Sequence, residues 1–103
     1  MISFQVPELY HSPMVWFAKE FLSYQSICIS VEEKDLQHTL GFCTELEDEF
    51  LIEININQSE VEKLRTFFHE LYHVVQHLDN QPRDEDECIT FESVLLDRWL
   101  RSL

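Results

Sequence analysis

Basic side chains are scarce in this chain. Its 103 residues include 7 lysines and arginines against 20 aspartates and glutamates, a formal net charge of −13. Binding to nucleic acid needs Lys and Arg clustered against the phosphates, so the composition argues against a nucleic-acid partner. The acidic surface is compatible instead with a basic protein partner or a basic substrate, and charge alone does not choose between them.

Glycine and proline are also rare. One glycine, three prolines and a hydrophobic fraction of 45% exclude a disordered, low-complexity chain and predict a single folded domain over residues 1–103. No apolar run approaches the length of a membrane span, and the N-terminus lacks the basic-then-apolar order of a signal peptide. We therefore predict a cytoplasmic protein that does not associate with membranes.

Cysteine occurs three times, at Cys28, Cys43 and Cys88. The number is odd and no pair has the C-x-x-C spacing of a redox or metal motif. This arrangement favours buried free thiols in a reducing compartment over disulfides or cysteine metal ligation.

Hydrophobic periodicity predicts three helices and three strands in the order α-β-β-β-α-α. The predicted strands, of which the last two form a hairpin, are Ile27–Val31, Leu40–Thr44 and Phe50–Ile56. The first helix is expected from about Ser12 to Tyr24, and the third from about Asp84 to the C-terminus. The second helix should begin after Ser59, which forms an S-x-x-E capping box with Glu62.

The second helix contains the sequence His69-Glu70-Leu71-Tyr72-His73, which has the H-E-x-x-H spacing of zinc hydrolases. Two histidines four residues apart lie on the same helical face, and Glu70 lies about 100° around the helix from His69. The apolar stripe of this helix occupies the other side. We therefore predict that His69, Glu70 and His73 face away from the core together, along the floor of a cleft.

A catalytic zinc ion normally has three protein ligands, so a third is needed. His77 lies about 12 Å from His69 along the helix axis, which is too far for one ion, and it is interpreted as a rim residue. Glu87 and Glu92 on the third helix remain, and spacing does not choose between them. Glu87 also fits a structural role, as the capping partner of Asp84.

The segments Phe68–Gln76 and Glu85–Glu92 resemble gluzincin-type metallopeptidases, and most closely the minigluzincin-like and ImmA-like small peptidases. In those families a glutamate before a small residue on the following helix is the third zinc ligand. The resemblance places that ligand at Glu87, which precedes Cys88. It also implies a minimal zincin-like α+β fold, with a three-stranded sheet packed on the active-site helix.

The resemblance implies that His69, His73 and Glu87 bind Zn²⁺ and that Glu70 is the general base. It further implies that the strand Phe50–Ile56 is an edge strand that binds extended peptide. The substrate-binding residues expected on that strand are Leu51, Glu53 and Asn55. The candidates for stabilising an oxyanion, between which the sequence does not choose, are Tyr72, Tyr24, His38 and His11.

Two functions are compatible with these features. The first is a small zinc-dependent metallopeptidase that hydrolyses a peptide or protein substrate. The alternative is a latent or non-enzymatic zinc-binding protein of the same fold, an acidic, phage-like regulator that binds a protein partner. In the alternative, Met1–His11 is a candidate for a segment that covers the cleft.

Overall fold

Four strands and three α-helices make up most of the chain, and the computed structural model describes residues 1–103. The elements in chain order are β1 (Ser3–Gln5), a 3₁₀ helix (Glu8–Tyr10), α1 (His11–Phe21), β2 (Cys28–Lys34), β3 (Gly41–Leu46), β4 (Glu49–Asn55), α2 (Glu60–Leu78) and α3 (Glu85–Arg101). The predicted α+β class is confirmed, and the sheet has four strands where three were expected.

The sheet has the strand order β1-β2-β4-β3. β2 is parallel to both β1 and β4, whereas β3 and β4 form the predicted antiparallel hairpin. A two-residue turn joins them, in which Glu47 has the left-handed φ of 51°. Because β4 is paired on both sides, the prediction that Phe50–Ile56 is an edge strand is wrong. The edge on this side of the sheet is β3.

The N-terminal segment lies at the opposite edge of the sheet. Ser3, Phe4 and Gln5 pair with β2, and the side chains of Phe4 and Val6 pack against the hydrophobic core. Backbone pairing and apolar burial therefore hold this segment on the far side of the sheet from β3. The expectation that Met1–His11 covers the cleft is wrong.

The helices cover one face of the sheet. Alternate residues of β2 and β4 are buried beneath them, with Ile29, Ile52 and Ile54 fully inaccessible to solvent. From α2, Phe67 and Leu71 pack into the same core. This burial holds α2 against β3 and β4, and α3 also packs against α2.

Capping residues determine where α2 and α3 begin. The Ser59 hydroxyl accepts a hydrogen bond from the Glu62 backbone N–H at 3.2 Å, and the Asp84 carboxylate accepts one from Glu87 N–H at 3.0 Å. After α2, Asn80 adopts a left-handed φ of 55°, which ends the helix. Ser59 and Asp84 are therefore confirmed as caps. The return bond of a capping box is absent, because the Glu62 carboxylate pairs with Arg65 and the Glu87 carboxylate accepts from Gln76. The first helix, expected from about Ser12 to Tyr24, runs from His11 to Phe21 and has no side-chain cap.

Two expectations from composition can be compared directly with the structure. None of the helices combines the length and the apolar composition needed to cross a membrane. All three cysteines are free, with Cys43 and Cys88 buried and Cys28 partly exposed.

Candidate metal centre

The polar face of α2 is directed at β3 and α3. The rings of His69 and His73 lie side by side with their centroids 5.2 Å apart, as the four-residue spacing requires. This face is less open than the sequence suggested, because Glu70 is 4% and His73 only 1% exposed. A cleft of about 440 Å³ remains beside it, between β3 and α3. His69 and Glu70 line this cleft, together with Gly41, Phe42, Glu85 and Ile89.

Both histidines direct Nε2 at the carboxylate of Glu85, the first residue of α3. Glu85 Oε2 lies 2.8 Å from Nε2 of His69, and Glu85 Oε1 lies 2.9 Å from Nε2 of His73. The second contact is too poorly aligned to be a hydrogen bond, so the buried Nε2 of His73 has no hydrogen-bond partner. Two imidazole nitrogens and a carboxylate therefore converge on one point.

The other ring nitrogens are held by fixed acceptors. Nδ1 of His73 lies 3.0 Å from the amide oxygen of Gln76, which can only accept, so Nδ1 donates and Nε2 keeps its lone pair. Burial lowers the pKa of His73, which keeps the ring neutral. Nδ1 of His69 lies 3.3 Å from Oε1 of Glu92 in a similar arrangement. Such partners orient the histidines of metal sites.

Two donor sets could complete a metal site with these histidines. His69, His73 and Cys88 have ligand atoms within 4.8 Å of one another. However, Sγ of Cys88 lies 3.4 Å from Nδ1 of His73, the nitrogen that faces Gln76. Burial and, to a lesser degree, the Glu85 carboxylate raise the pKa of Cys88 to about 12, so it remains a thiol at neutral pH. The set His69, His73 and Glu85 fits a metal better, because Glu85 already faces both Nε2 atoms.

The structure does not bring Glu87 to the histidines. Its Oε1 accepts a hydrogen bond of 3.0 Å from Nε2 of Gln76 instead. The reason is the rotation of α3: Cys88 faces α2, and Glu87 lies about 100° around the helix from it. Glu92 does face α2, but it contacts Nδ1 of His69 rather than Nε2.

Gln76 is a site residue that the sequence interpretation missed. Its buried amide pairs with the backbone of Asp84, accepting from the N–H at 3.3 Å and donating to the carbonyl at 3.1 Å. Because Asp84 caps α3, this contact positions Glu85 as well as His73. Glu85 was missed as well. Helical spacing could have identified both residues, because positions three apart share a face: Gln76 follows His73 by three and Glu85 precedes Cys88 by three.

Glu70 is buried beside the histidines, and its Oε1 has no hydrogen-bond partner. Burial is the main reason that the pKa of Glu70 is raised to about 7 from its ordinary value of 4.5. His69 and Arg83 oppose the shift by lowering this pKa, and the carboxylates of Glu85 and Glu92 raise it by smaller amounts. A carboxyl group with a pKa near 7 can both accept and return a proton at neutral pH.

The predicted substrate-binding residues do not line the cleft. Leu51 and Glu53 lie on the sheet face away from the helices, where Glu53 forms an ion pair of 2.8 Å with Lys34. Asn55 is buried, and its amide donates to the carbonyls of Gln37 and Thr39, each at 2.9 Å. The role of Asn55 in the structure is to hold the β2–β3 loop.

None of the four oxyanion candidates lines the cleft either. Tyr72 stacks on Phe91, His11 packs against Phe4, and Tyr24 is fully exposed. His77, which was interpreted as a rim residue, does not line the cleft, and its Nδ1 lies 3.0 Å from a carboxylate oxygen of Glu45.

The free edge of β3 forms one wall of the cleft. The carbonyl of Leu40 accepts a hydrogen bond of 2.8 Å from the N–H of Asn55. Because antiparallel pairs alternate, Phe42 and Thr44 also bond to β4, whereas the backbone groups of Gly41, Cys43 and Glu45 point outward.

Arg83, in the α2–α3 loop, occupies part of that edge. Its Nη1 donates to the outward carbonyl of Cys43 at 3.4 Å and to Glu45 Oε1 at 3.3 Å. It is the one basic residue lining the cleft. The edge is therefore free at Gly41 and partly occupied at Cys43.

Comparison with known proteins identifies no relative of this chain: no family model matches, and no curated protein or solved structure shows significant similarity to it.

Proposed function

We propose that this protein is a zinc-dependent metallopeptidase in which His69, His73 and Glu85 bind the metal. The observation that carries the proposal is the convergence of both Nε2 atoms on the Glu85 carboxylate. Two histidines and a glutamate are a ligand set of catalytic zinc sites, which leave a further position for water. The unpaired, buried Nε2 of His73 supports a metal at this point, because a buried polar atom without a partner is costly.

The chain's own residues supply the proton transfers. A zinc ion held by the three ligands would act as a Lewis acid that activates water and polarises a peptide carbonyl. Glu70 accepts the proton of the attacking water and passes it to the leaving amine. Gln76 and Glu92 hold the two imidazoles in the orientation that directs Nε2 at Glu85.

An extended peptide can pair with the edge of β3. The outward backbone groups of Gly41 and Cys43 offer it main-chain hydrogen bonds beside Glu70. Three half-exposed apolar side chains of the cleft, Leu40 and Phe42 beside the strand edge and Ile89 on α3, offer contacts to apolar substrate side chains. This assigns substrate binding to β3, in place of the residues of β4.

Arg83 competes with such a peptide for the Cys43 carbonyl. We therefore expect Arg83→Gln to tighten the binding of an extended peptide by about fivefold, the equivalent of about 1 kcal/mol for one hydrogen bond. Calorimetry in a Glu70→Gln background, where the peptide is not consumed, measures this. Arg101→Gln, at an exposed position on α3, is the charge-matched control. Weaker binding by Arg83→Gln would show that Arg83 contacts the peptide itself.

The proposed function is tested by metal analysis together with peptide cleavage. Protein purified from zinc-replete medium should contain one zinc per chain, and His69→Ala should contain none. A mixture of unstructured peptides, analysed by mass spectrometry, should be cleaved by the zinc-loaded protein. Cleavage should stop after chelation and return when zinc is restored.

Each result selects one function. Protein without stoichiometric zinc would overturn the proposal altogether. Stoichiometric zinc without cleavage of any peptide would favour the alternative, a zinc-binding regulator that acts by binding a protein partner. A partner complex that survives chelation would support that alternative independently.

A further inference from the structure

Gly41 is the one glycine in the chain, and it is the first residue of the edge strand β3. Its φ does not lie in the left-handed region, so backbone conformation does not require a glycine at this position. The reason must lie in what surrounds its Cα.

A side chain at this position would meet three groups. A Cβ on Gly41 would lie 2.7 Å from Cγ2 of Thr66, 3.0 Å from the carbonyl oxygen of Glu53 and 3.2 Å from Oε2 of Glu70. Thr66 and Glu70 are both on α2, so the missing side chain is what allows β3 to lie close against α2. The contact occurs at the carboxylate assigned as general base.

The backbone of Gly41 also faces the open cleft. By the alternation of the β3–β4 ladder, its N–H and C=O point outward, where a peptide would pair. At Gly41 the free edge of β3 therefore lies directly beside the Glu70 carboxylate.

We propose that Gly41 is a positioning residue for the proposed peptidase reaction, because its lack of a side chain holds open the space in which the Glu70 carboxylate faces the peptide. This inference rests on the proposed function. Any side chain here would displace the carboxylate of Glu70 or move the strand edge away from it. At 3.2 Å the added Cβ would shift the carboxylate by a few tenths of an ångström. Since about 1 Å of misplacement at a catalytic group lowers the rate about 100-fold, this shift should lower it about five- to tenfold.

The test separates this role from simple packing by means of a rescue variant. Thr66→Ser removes Cγ2, the closest obstacle, and keeps the hydroxyl that donates to Gln58 Oε1 at 3.0 Å. Gly41→Ala, Thr66→Ser and the double variant are compared by Tm, zinc affinity and kcat. Thr66→Ser alone is the matched control and should resemble wild type in all three.

We expect Gly41→Ala to lower both Tm and kcat. In the double variant most of the loss in Tm should be recovered and zinc affinity should equal that of wild type. Its kcat should remain about five- to tenfold low, because the added methyl still lies against Glu70. A double variant that recovers kcat along with Tm would overturn the positioning role and leave Gly41 as a packing residue. A zinc-loaded wild type that cleaves no peptide would overturn the proposed function, and this role with it.

Discussion

Glu70→Gln should lower kcat for peptide hydrolysis by about 10²–10⁴-fold, the contribution typical of a general acid–base group. The variant keeps the shape of the side chain but cannot accept a proton from water. Because Glu70 is not among the proposed zinc ligands, zinc content and affinity should be unchanged. Activity close to that of wild type, measured with matched zinc occupancy, would exclude Glu70 as the base.

The same variant should make the metal-free protein more stable at alkaline pH. The pKa of Glu70 is raised in the folded state from 4.5 to about 7. Its proton therefore stabilises the fold fully below about pH 4.5, and that contribution is lost as the pH rises through about 7. At pH 8 the ionised, buried carboxylate costs about 3 kcal/mol, which glutamine avoids.

Denaturant unfolding of zinc-free wild type and Glu70→Gln at pH 5 and pH 8 measures this difference. The two proteins should be nearly equal in free energy of unfolding at pH 5, with the variant more stable at pH 8. If the variant is less stable at both pH values, polar contacts in the folded protein must stabilise the Glu70 carboxylate. Its pKa would then not be raised by burial.

Glu85→Gln should weaken zinc binding far more than Glu87→Gln. Loss of an outer-shell partner costs about 10–100-fold in metal affinity, and loss of a direct ligand should cost more than about 100-fold. Glu87 accepts a hydrogen bond from Gln76 and pairs with Tyr72, and a glutamine can still accept both hydrogen bonds. Its variant is therefore a control matched in charge and in helix position.

Competition with a chromogenic chelator measures the affinities. Glu92→Gln should lie between the two, because Glu92 contacts the outer nitrogen of His69. Cys88→Ser should remain close to wild type. Strong loss in Glu87→Gln with little loss in Glu85→Gln would restore the ligand implied by the family resemblance.

Local signals predicted most of the secondary structure. The capping box at Ser59 and the alternation in β4 depend on neighbouring residues, so they could be recognised without knowledge of the fold. β1 was missed because it has three residues and pairs in parallel with a strand more than twenty positions away. Such pairing leaves no turn signal in the sequence. The central position of β4 in the sheet was mispredicted for the same reason, because it depends on the parallel pairing of β4 with β2.

In the candidate site, too, features set within one helix could be predicted and features set by packing between helices could not. The shared face of His69 and His73 follows from helical geometry within one element. Whether Glu85 or Glu87 faces the histidines depends on how α3 is rotated against α2. Residues two positions apart in a helix point in directions that differ by about 200°. The buried residues Cys88, Leu95 and Trp99 define the inward stripe of α3, and Glu85 lies on that side. The family resemblance implied Glu87, which lies about 100° around the helix from Cys88.

The open edge of β3 has a consequence for self-association. Unpaired strand edges are templates on which another chain can add a strand. Beside its outward backbone groups, β3 carries the exposed apolar residues Phe42 and Leu46, and Leu40 directly precedes it. Its length of six residues, the charge of Glu45 and the Arg83 contact all disfavour such pairing. The backbone groups proposed to bind peptide are also the ones that a second copy would use. Concentrated protein that pairs through this edge would therefore block its own cleft.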